Sequence, residues 1–388
     1  MTDGKGPANR EAYRRAGVNV AAGDRSVQLL RGAIESTRRP EVVAIGGGFG
    51  GAIAIPSGYR DPLIVASTDG AGTKTVLASA LGRWDTIGID LVAMSADDVV
   101  CTGAEPLAFL DYVAVGQLDP EAVAELVGGV AAGCREAGCA LVGGETAEHP
   151  GLMDPGSFDV SGTCVGIVER DDLLDGRAAR AGDVMLGLPS SGLHANGFSL
   201  VRALVTQRDI PYSRPYQEQL ALTLGDAGRD AAISVEPGLA LSTLGEVLLT
   251  PTTIYARRIL ALRAALRAAG HDLRGVAHIT GGGLPGNVAR MLPPDLGARV
   301  DPGRWTMPSV MWLLGALGGL DEVELRATFN GGIGMALVIP AEAVPAAIAE
   351  VSDAVVIGEV VEAATLGGRY VEAPLELEVA GLELVGRS

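Results

Sequence analysis

The sequence predicts a mixed α/β protein of more than one domain, with strands and helices interleaved along the chain. Three observations predict this. Apolar runs of strand length, at 63–66, 107–115 and 184–188, alternate with helix-length amphipathic segments. Fifty-five glycines are scattered among those runs without a collagen period, which fits many tight turns. A length of 388 residues predicts about two to three domains, and the polar, turn-rich stretch 171–182 offers a boundary. We therefore assign an N-terminal domain to 1–173 and a C-terminal domain to 174–388.

Residues 1–12 read as a loose tail and 24–37 as a helix. Gly46, Gly47, Gly48, Phe49, Gly50 and Gly51 then interrupt two short apolar runs. Glycines around one aromatic read as a flap that approaches phosphate or, more simply, as a hairpin turn. The buried run 63–66 leads into Ser67-Thr68-Asp69-Gly70-Ala71-Gly72-Thr73-Lys74-Thr75, ahead of a helix over 76–81. Amides at a strand-to-helix turn favour anions. Asp69 suits a metal ion and Lys74 a phosphate. The spacing is not that of a Walker A loop, and a tight turn that needs glycines reads equally well.

Asp85 caps a helix to about Cys101, stopped by Gly103. Asp90 and Asp97, seven apart, share one of its faces, with Asp98 one step round. Carboxylates beside Val99-Val100 suit burial and, near a nucleotide loop, Mg²⁺; an exposed acidic turn reads equally well. A strand over 107–115 precedes a helix opened by Asp119-Pro120, with Val123, Leu126 and Val130 at helical spacing. A strand over 139–142 ends in Gly143-Gly144-Glu145-Thr146-Ala147-Glu148, which puts Glu145 just past a strand end. A long strand covers 158–168.

The second domain opens with the strand 184–188 and the loop Pro189-Ser190-Ser191-Gly192-Leu193-His194-Ala195-Asn196-Gly197, followed by a helix to about 205. A histidine in a loop points to chemistry, because it titrates near neutrality and loops carry function. Residues 206–240 read as an irregular surface insertion. A helix over 253–269 carries Arg257, Arg258, Arg263 and Arg267 on a solvated side. The strand 276–279 runs into Thr280-Gly281-Gly282-Gly283-Leu284-Pro285-Gly286-Asn287, a second glycine-rich turn suited to an anion. A strand over 335–339, a helix over 341–351 and a strand over 354–357 close the domain.

A formal charge of −17 argues against nucleic acid or an anionic membrane as partner. Cys101, Cys134, Cys139 and Cys164 form no CxxC pair and read as buried free thiols. The polar N-terminus and the lack of an apolar run of about 18 residues point to a cytoplasmic protein.

Four separated blocks agree on a family. They are Thr68-Asp69-Gly70-Ala71-Gly72-Thr73-Lys74, Val142-Gly143-Gly144-Glu145-Thr146-Ala147-Glu148, Ser191-Gly192-Leu193-His194-Ala195-Asn196-Gly197 and His278-Ile279-Thr280-Gly281-Gly282-Gly283. In this order and spacing they resemble the phosphoribosylformylglycinamidine cyclo-ligases, or AIR synthetases, over about residues 13–362. The resemblance implies a two-domain AIR-synthetase-like α/β (α+β) fold. Its N-terminal domain forms a dimeric β-barrel with a twin, and its C-terminal domain is a sandwich of sheet and helices. It implies a homodimeric enzyme that uses ATP and Mg²⁺ to close the imidazole ring of a formylglycinamidine ribonucleotide.

On that resemblance, Asp69, Asp98 and Glu145, with Asp97 as an alternative, hold Mg²⁺, while Asp69, Lys74 and His194 are catalytic. Gly48, Phe49, Gly50, Thr68, Gly70, Gly72 and Thr73 cradle ATP. His278, Thr280, Gly281, Gly282, Gly283 and Asn196 face the substrate. The chain departs from the family at Asp97, where an asparagine is usual, at Leu193 for proline, at Asn19 for aspartate and at Ala71 for valine. Sister enzymes of the same fold are the thiamine-monophosphate kinases, the selenophosphate synthetases and the carbamoyl-dehydrating hydrogenase maturation proteins. An inactive nucleotide-binding homologue is the remaining alternative.

Overall fold

A computed structural model of the chain describes residues 15, 19–45 and 50–375. It divides into two compact units. The first comprises Met1–Val100, Ala104–Asp171 and His194–Ala256; the second comprises Cys101–Gly103, Asp172–Leu193 and Arg257–Ser388. Residues 194–256, which the sequence reading assigned to the C-terminal domain, thus belong to the first unit.

The first unit opens with α1 (Val20–Glu35), capped by Asn19, whose side chain accepts from the Ala22 amide. The start expected at 24 was late because Asn19, a strong cap, was not read as one. The strands β1 (Val42–Val43) and β2 (Ala52–Ile53) pair as a short antiparallel ribbon. Then follow β3 (Pro62–Gly70), α2 (Lys74–Leu81), α3 (Asp85–Cys101), β4 (Glu105–Val115), α4 (Pro120–Ala137), β5 (Ala140–Glu148) and β6 (Phe158–Glu169). The last four strands form one sheet in the order β3-β6-β4-β5, with β4 and β5 parallel and the other pairs antiparallel. A parallel pair needs a crossover, and α4 supplies it.

Pro120 at the first turn, Asp119 accepting from two amides and a left-handed Gly138 delimit α4 as the sequence signals require. The helices α3 and α4 meet at bare backbone: a Cβ on Gly88 would lie 2.2 Å from the Leu126 carbonyl oxygen, and one on Gly129 would lie 1.9 Å from that of Asp85. Alternation along β4 sorts its side chains. Phe109, Val113 and Val115 are buried on the face that α3 covers, whereas Leu110 and Tyr112, on the other face, stay 37% and 40% exposed.

The unit is completed by α5 (Phe198–Gln207), α6 (Tyr216–Val235, broken at Gly225) and α7 (Leu244–Leu248). The expected irregular insertion at 206–240 is thus mostly helical. Only Tyr216, Gln219, Leu220 and Ala232 of α6 are buried, so no continuous apolar stripe announces it.

The second unit carries a six-stranded sheet. Its strands are β7 (Val184–Pro189), β8 (Gly275–His278), β9 (Leu296–Val300), β10 (Ile333–Ile339), β11 (Val355–Glu362) and β12 (Tyr370–Glu372), in the order β12-β9-β11-β7-β10-β8. Only β12 and β9 pair in parallel. Every residue of β10 is buried, which explains its unbroken apolar run. Helices α8 (Ala256–Ala268), α9 (Gly283–Val288), α10 (Ser309–Gly318), α11 (Glu322–Thr328) and α12 (Val344–Glu350) complete the unit. One core cluster runs through Met185, Ile279, Leu284, Ala298, Ile333 and Ile357. Of the four arginines expected on a solvated side of α8, Arg263 is buried, paired with Asp272 and donating to the Asp172 carbonyl.

Candidate active site

The central loop is shorter than its sequence suggests. Thr68, Asp69 and Gly70 are the end of β3, and Lys74 is the first residue of α2. The Lys74 side chain turns inward and is 0% exposed. Its ammonium meets the Asp90 carboxylate at 2.8 Å and donates to the carbonyl oxygens of His194 and Thr250 at 2.9 and 2.8 Å. It also lies 5.4 Å from the centre of the Phe198 ring. Burial pushes the Lys74 ammonium below its usual range and the Asp90 carboxyl above, each opposed by the other's charge. The phosphate contact expected of Lys74 does not fit this position: all three ammonium hydrogens have acceptors inside the protein.

Asp90 is an anchor as well. It accepts from the amide and hydroxyl of Thr252, at 2.8 and 2.6 Å. One face of α3 thus binds the segment ahead of α8, because Asp97, seven residues on, accepts from the Tyr255 amide at 2.9 Å. These contacts explain why 194–256 joins the first unit.

The histidine loop comes to the same place. Thr73 and Ser199 hydroxyls stand 3.2 Å apart, and a Cβ on Gly72 would lie 3.8 Å from the Ala195 carbonyl oxygen. The Asn196 amide reaches the Met94 sulfur at 3.9 Å. His194 is 1% exposed, its ring 6.2 Å from that of Tyr255, and its backbone is left-handed, with φ 60°. Left-handed backbone in a residue other than glycine is uncommon and costs about 1–3 kcal/mol unless its surroundings hold it. Here the Lys74 ammonium holds the carbonyl.

The profile described as "AIR synthase related protein, N-terminal domain" matches residues 51–168, and its C-terminal counterpart matches 180–371. The chain belongs to the AIR synthase family. It is 49% identical to the phosphoribosylformylglycinamidine cyclo-ligase of Gloeobacter violaceus, over 91% of this chain and 98% of that one. It is 47% identical to that of Sorangium cellulosum, over 90% and 95%. The chain is an enzyme of the ligase class. In fold it is similar to thiamine-monophosphate kinase from Stenotrophomonas maltophilia, with a TM-score of 0.58, 17% identity and coverage of 92% and 97% of the two chains. It is also similar to a hydrogenase maturation protein HypE solved in complex with ATP, with a TM-score of 0.56, 18% identity and coverage of 92% and 96%. Among the described residues no helix is long and apolar enough to cross a membrane.

Within this AIR synthase framework the expected metal ligands separate. Asp98 is half-buried and accepts from the Ser67 hydroxyl at 3.3 Å; Asp69, two residues along β3, shares Ser67's face and is exposed. Asp97, the alternative to Asp98, is fully buried on the Tyr255 amide. Glu145 stands apart. The expected strand ending at 142 continues to Glu148, so Glu145 lies in the row Gly70–Ser161–Tyr112–Glu145, three strand spacings or about 14 Å from β3. Its side chain points to the face opposite Asp69. One chain therefore offers a pair of carboxylates, and among the described residues no three His, Cys, Asp or Glu side chains gather to hold a metal. A pair suits Mg²⁺, which takes one or two carboxylates and completes its shell with phosphate oxygens and water.

The remaining candidates are placed as follows. Gly48 and Phe49 lie outside the described residues, and a Cβ on Gly50 would meet nothing within 4 Å. Thr68 donates to the Gly162 carbonyl, and Gly70 donates its amide to Asp69 at 2.7 Å. In the second unit, His278 is buried in β8 beside Met335. The turn at Thr280, Gly281, Gly282 and Gly283 is tied down by Asn287, which donates to the carbonyls of Gly281 and Gly283. Gly283 is glycine for a packing reason, since a Cβ would lie 1.8 Å from the Arg326 carbonyl oxygen.

Sequence reading missed Asp111. It sits on β4 opposite Gly162, the residue that also faces Asp69, and burial pushes its carboxyl up to about 6. Its signal was present as a lone carboxylate between Leu110 and Tyr112 in an apolar strand.

Proposed function

We propose that this enzyme closes the imidazole ring of 5'-phosphoribosylformylglycinamidine at the expense of ATP, releasing 5-aminoimidazole ribonucleotide, ADP and phosphate in purine biosynthesis. The observation that carries this reading is the Lys74-held convergence of the β3 loop and the His194 loop in a chain of this family. The ATP complex of HypE, a protein of similar fold, supports a nucleotide as co-substrate.

The chemistry accounts for the residues. An amide oxygen is a poor leaving group. The γ-phosphoryl of ATP passes to the formyl oxygen, giving an O-phosphoryl imidate and ADP. The ribosyl amidine nitrogen attacks the imidate carbon, the C–O bond breaks, and phosphate leaves with the former formyl oxygen. The attacking nitrogen loses its proton, and a further proton leaves the ring CH2 while the exocyclic imine nitrogen gains one, which makes the ring aromatic. Phosphoryl transfer asks for positioning and charge neutralisation. Asp69 and Asp98 would hold Mg²⁺, which neutralises phosphate charge. Gly70, Gly72 and Thr73 would approach the nucleotide. His194, with Asn196 two residues on, would take the proton. In the second unit, His278 and the turn Thr280–Gly283 would bind substrate.

A homodimer completes the proposal. Leu110, Tyr112 and Ile64, the last 60% exposed, lie on the sheet face that α3 leaves uncovered, an apolar face suited to a twin sheet closing a barrel. The polar, phosphorylated metabolites involved favour the cytoplasm. The test is ADP release with Mg²⁺-ATP, with and without the amidine substrate, while the aminoimidazole product is followed. One ADP per product, dependent on substrate, supports the proposal; ATP binding without substrate-dependent ADP overturns it.

A further inference from the structure

Asn330 stands in the turn between α11 and β10 and is 2% exposed. A buried amide needs partners, and those of Asn330 lie at the root of the histidine loop. Its Nδ2 donates to the Gly192 carbonyl oxygen at 2.8 Å, and its Oδ1 accepts from the Gly332 amide at 2.9 Å. The Ser190 hydroxyl lies 3.0 Å from both the Gly192 carbonyl oxygen and Asn330 Oδ1. The Ser190 amide donates to the Gly332 carbonyl at 2.9 Å, one step beyond the pairing of Pro189 with Ile333. Where the ladder of β7 and β10 runs out, the Asn330 side chain continues it into the loop. Its own turn is braced in addition: the Trp305 indole donates to the Gly331 carbonyl at 2.8 Å.

We propose that Asn330 is a positioning residue for the proton-transfer step: by fixing Gly192 it sets the path on which the chain enters His194, two residues on. The inference rests on the role read for His194 above and adds what holds its loop at the root. Gly192 needs holding. Its φ is 140°, and a Cβ there would meet nothing within 4 Å, so glycine serves the backbone conformation and brings no packing of its own. Both lone pairs of its carbonyl are instead engaged, by Asn330 and Ser190. The residue type follows from the partners. The amide meets a backbone acceptor on one side and a backbone donor on the other. Aspartate would set an oxygen against the Gly192 carbonyl, and leucine would strand both backbone groups. The loop is thus held at Gly192 by Asn330 and at the His194 carbonyl by Lys74. A displacement of about 1 Å at a reacting group costs on the order of 10²-fold in rate.

The test is a double-mutant cycle on the full chain: kcat and KM of wild type, Asn330→Asp, His194→Asn and the double variant, with Mg²⁺-ATP and the amidine substrate. Asn330→Asp keeps the size and the acceptor and removes the donor. Its kcat should fall about 10- to 100-fold, with KM for ATP within about threefold of wild type. In the His194→Asn background the same substitution should lower kcat by no more than about threefold, because no proton-transfer group is left to misplace. Should Asn330→Asp fail to fold, Ser190→Ala, which removes the other donor to the Gly192 carbonyl, goes through the same cycle, with a loss of about three- to tenfold expected only where His194 is present. Unchanged kcat, equal losses with and without His194, or a raised KM at constant kcat overturns the positioning role alone. Near-normal kcat in His194→Asn overturns the reading of His194 and this one with it. No substrate-dependent ADP from wild type overturns the ring-closure reading as well.

Discussion

Lys74 donates to the carbonyl oxygen of His194 across 2.9 Å, and the residue so held has a left-handed backbone, φ 60°. A lysine that sequence places on a phosphate is instead the strut of the histidine loop. Lys74→Met should therefore act on stability first. Stranding Asp90 without its partner should cost about 3–5 kcal/mol, and Lys74→Met with Asp90→Asn should recover much of it. Thermal unfolding of the variants checks this. An unchanged melting temperature with a raised KM for ATP would return Lys74 to the phosphate.

His194→Asn separates chemistry from backbone. Asparagine tolerates the left-handed region, so the loop should keep its shape. Turnover should fall by about 10²–10⁴, the usual worth of a positioned proton-transfer group, with little change in melting temperature. Near-normal kcat in the asparagine variant contradicts the role.

The neighbours Asp97 and Asp98 should respond differently. Asp98→Asn should raise the Mg²⁺ concentration needed for half-maximal rate at least severalfold while leaving the fold intact. Asp97→Ala strands the Tyr255 amide and should cost about 1–3 kcal/mol of stability. Metal titration of activity and chemical denaturation of each variant test the assignment. A metal response confined to Asp97 reverses it.

Asp111 gives a signed pH dependence. Its folded carboxyl titrates at about 6, above the unfolded value of about 3.9. The folded state thus keeps its proton longer, and the group's contribution to stability falls as pH rises from about 4 through 6. Removing it in Asp111→Asn should shift the stability difference in the variant's favour by on the order of 2–3 kcal/mol between pH 4 and pH 8. Denaturation curves at the two pH values measure it, and a difference that does not move with pH sinks the argument.

Leu110→Arg tests the open sheet face. A charge set in the middle of an apolar interface should convert a dimer to a monomer, read as halved mass in light scattering. Wild type already monomeric at micromolar concentration would contradict the barrel.

Much of the fold was legible because local signals agreed with it. The pair Asp119-Pro120 and Gly138 bounded α4, and Asp85 and Gly103 bracketed α3. The apolar run at 335–339 announced a strand, and every residue of β10 is buried. What sequence did not carry was long-range. Asp90 and Asp97 were seen to share a helix face, but nothing in a seven-residue spacing says that the face meets Thr252 and Tyr255. That contact also moved 194–256 into the first unit. The glycines at 143 and 144 looked like a strand end. They are instead strand positions, and Gly144 makes room for Asp111. Glu145 was grouped with Asp69 by resemblance; register and alternation put it on the other face.

The most direct measurement uses substrate labelled with ¹⁸O in the formyl group and follows the label through one turnover with Mg²⁺-ATP. If the formyl oxygen is phosphorylated before ring closure, the label leaves in inorganic phosphate, one atom per product. Label found in water, with unlabelled phosphate, would contradict phosphoryl activation of the formyl oxygen and with it the mechanism proposed for this site.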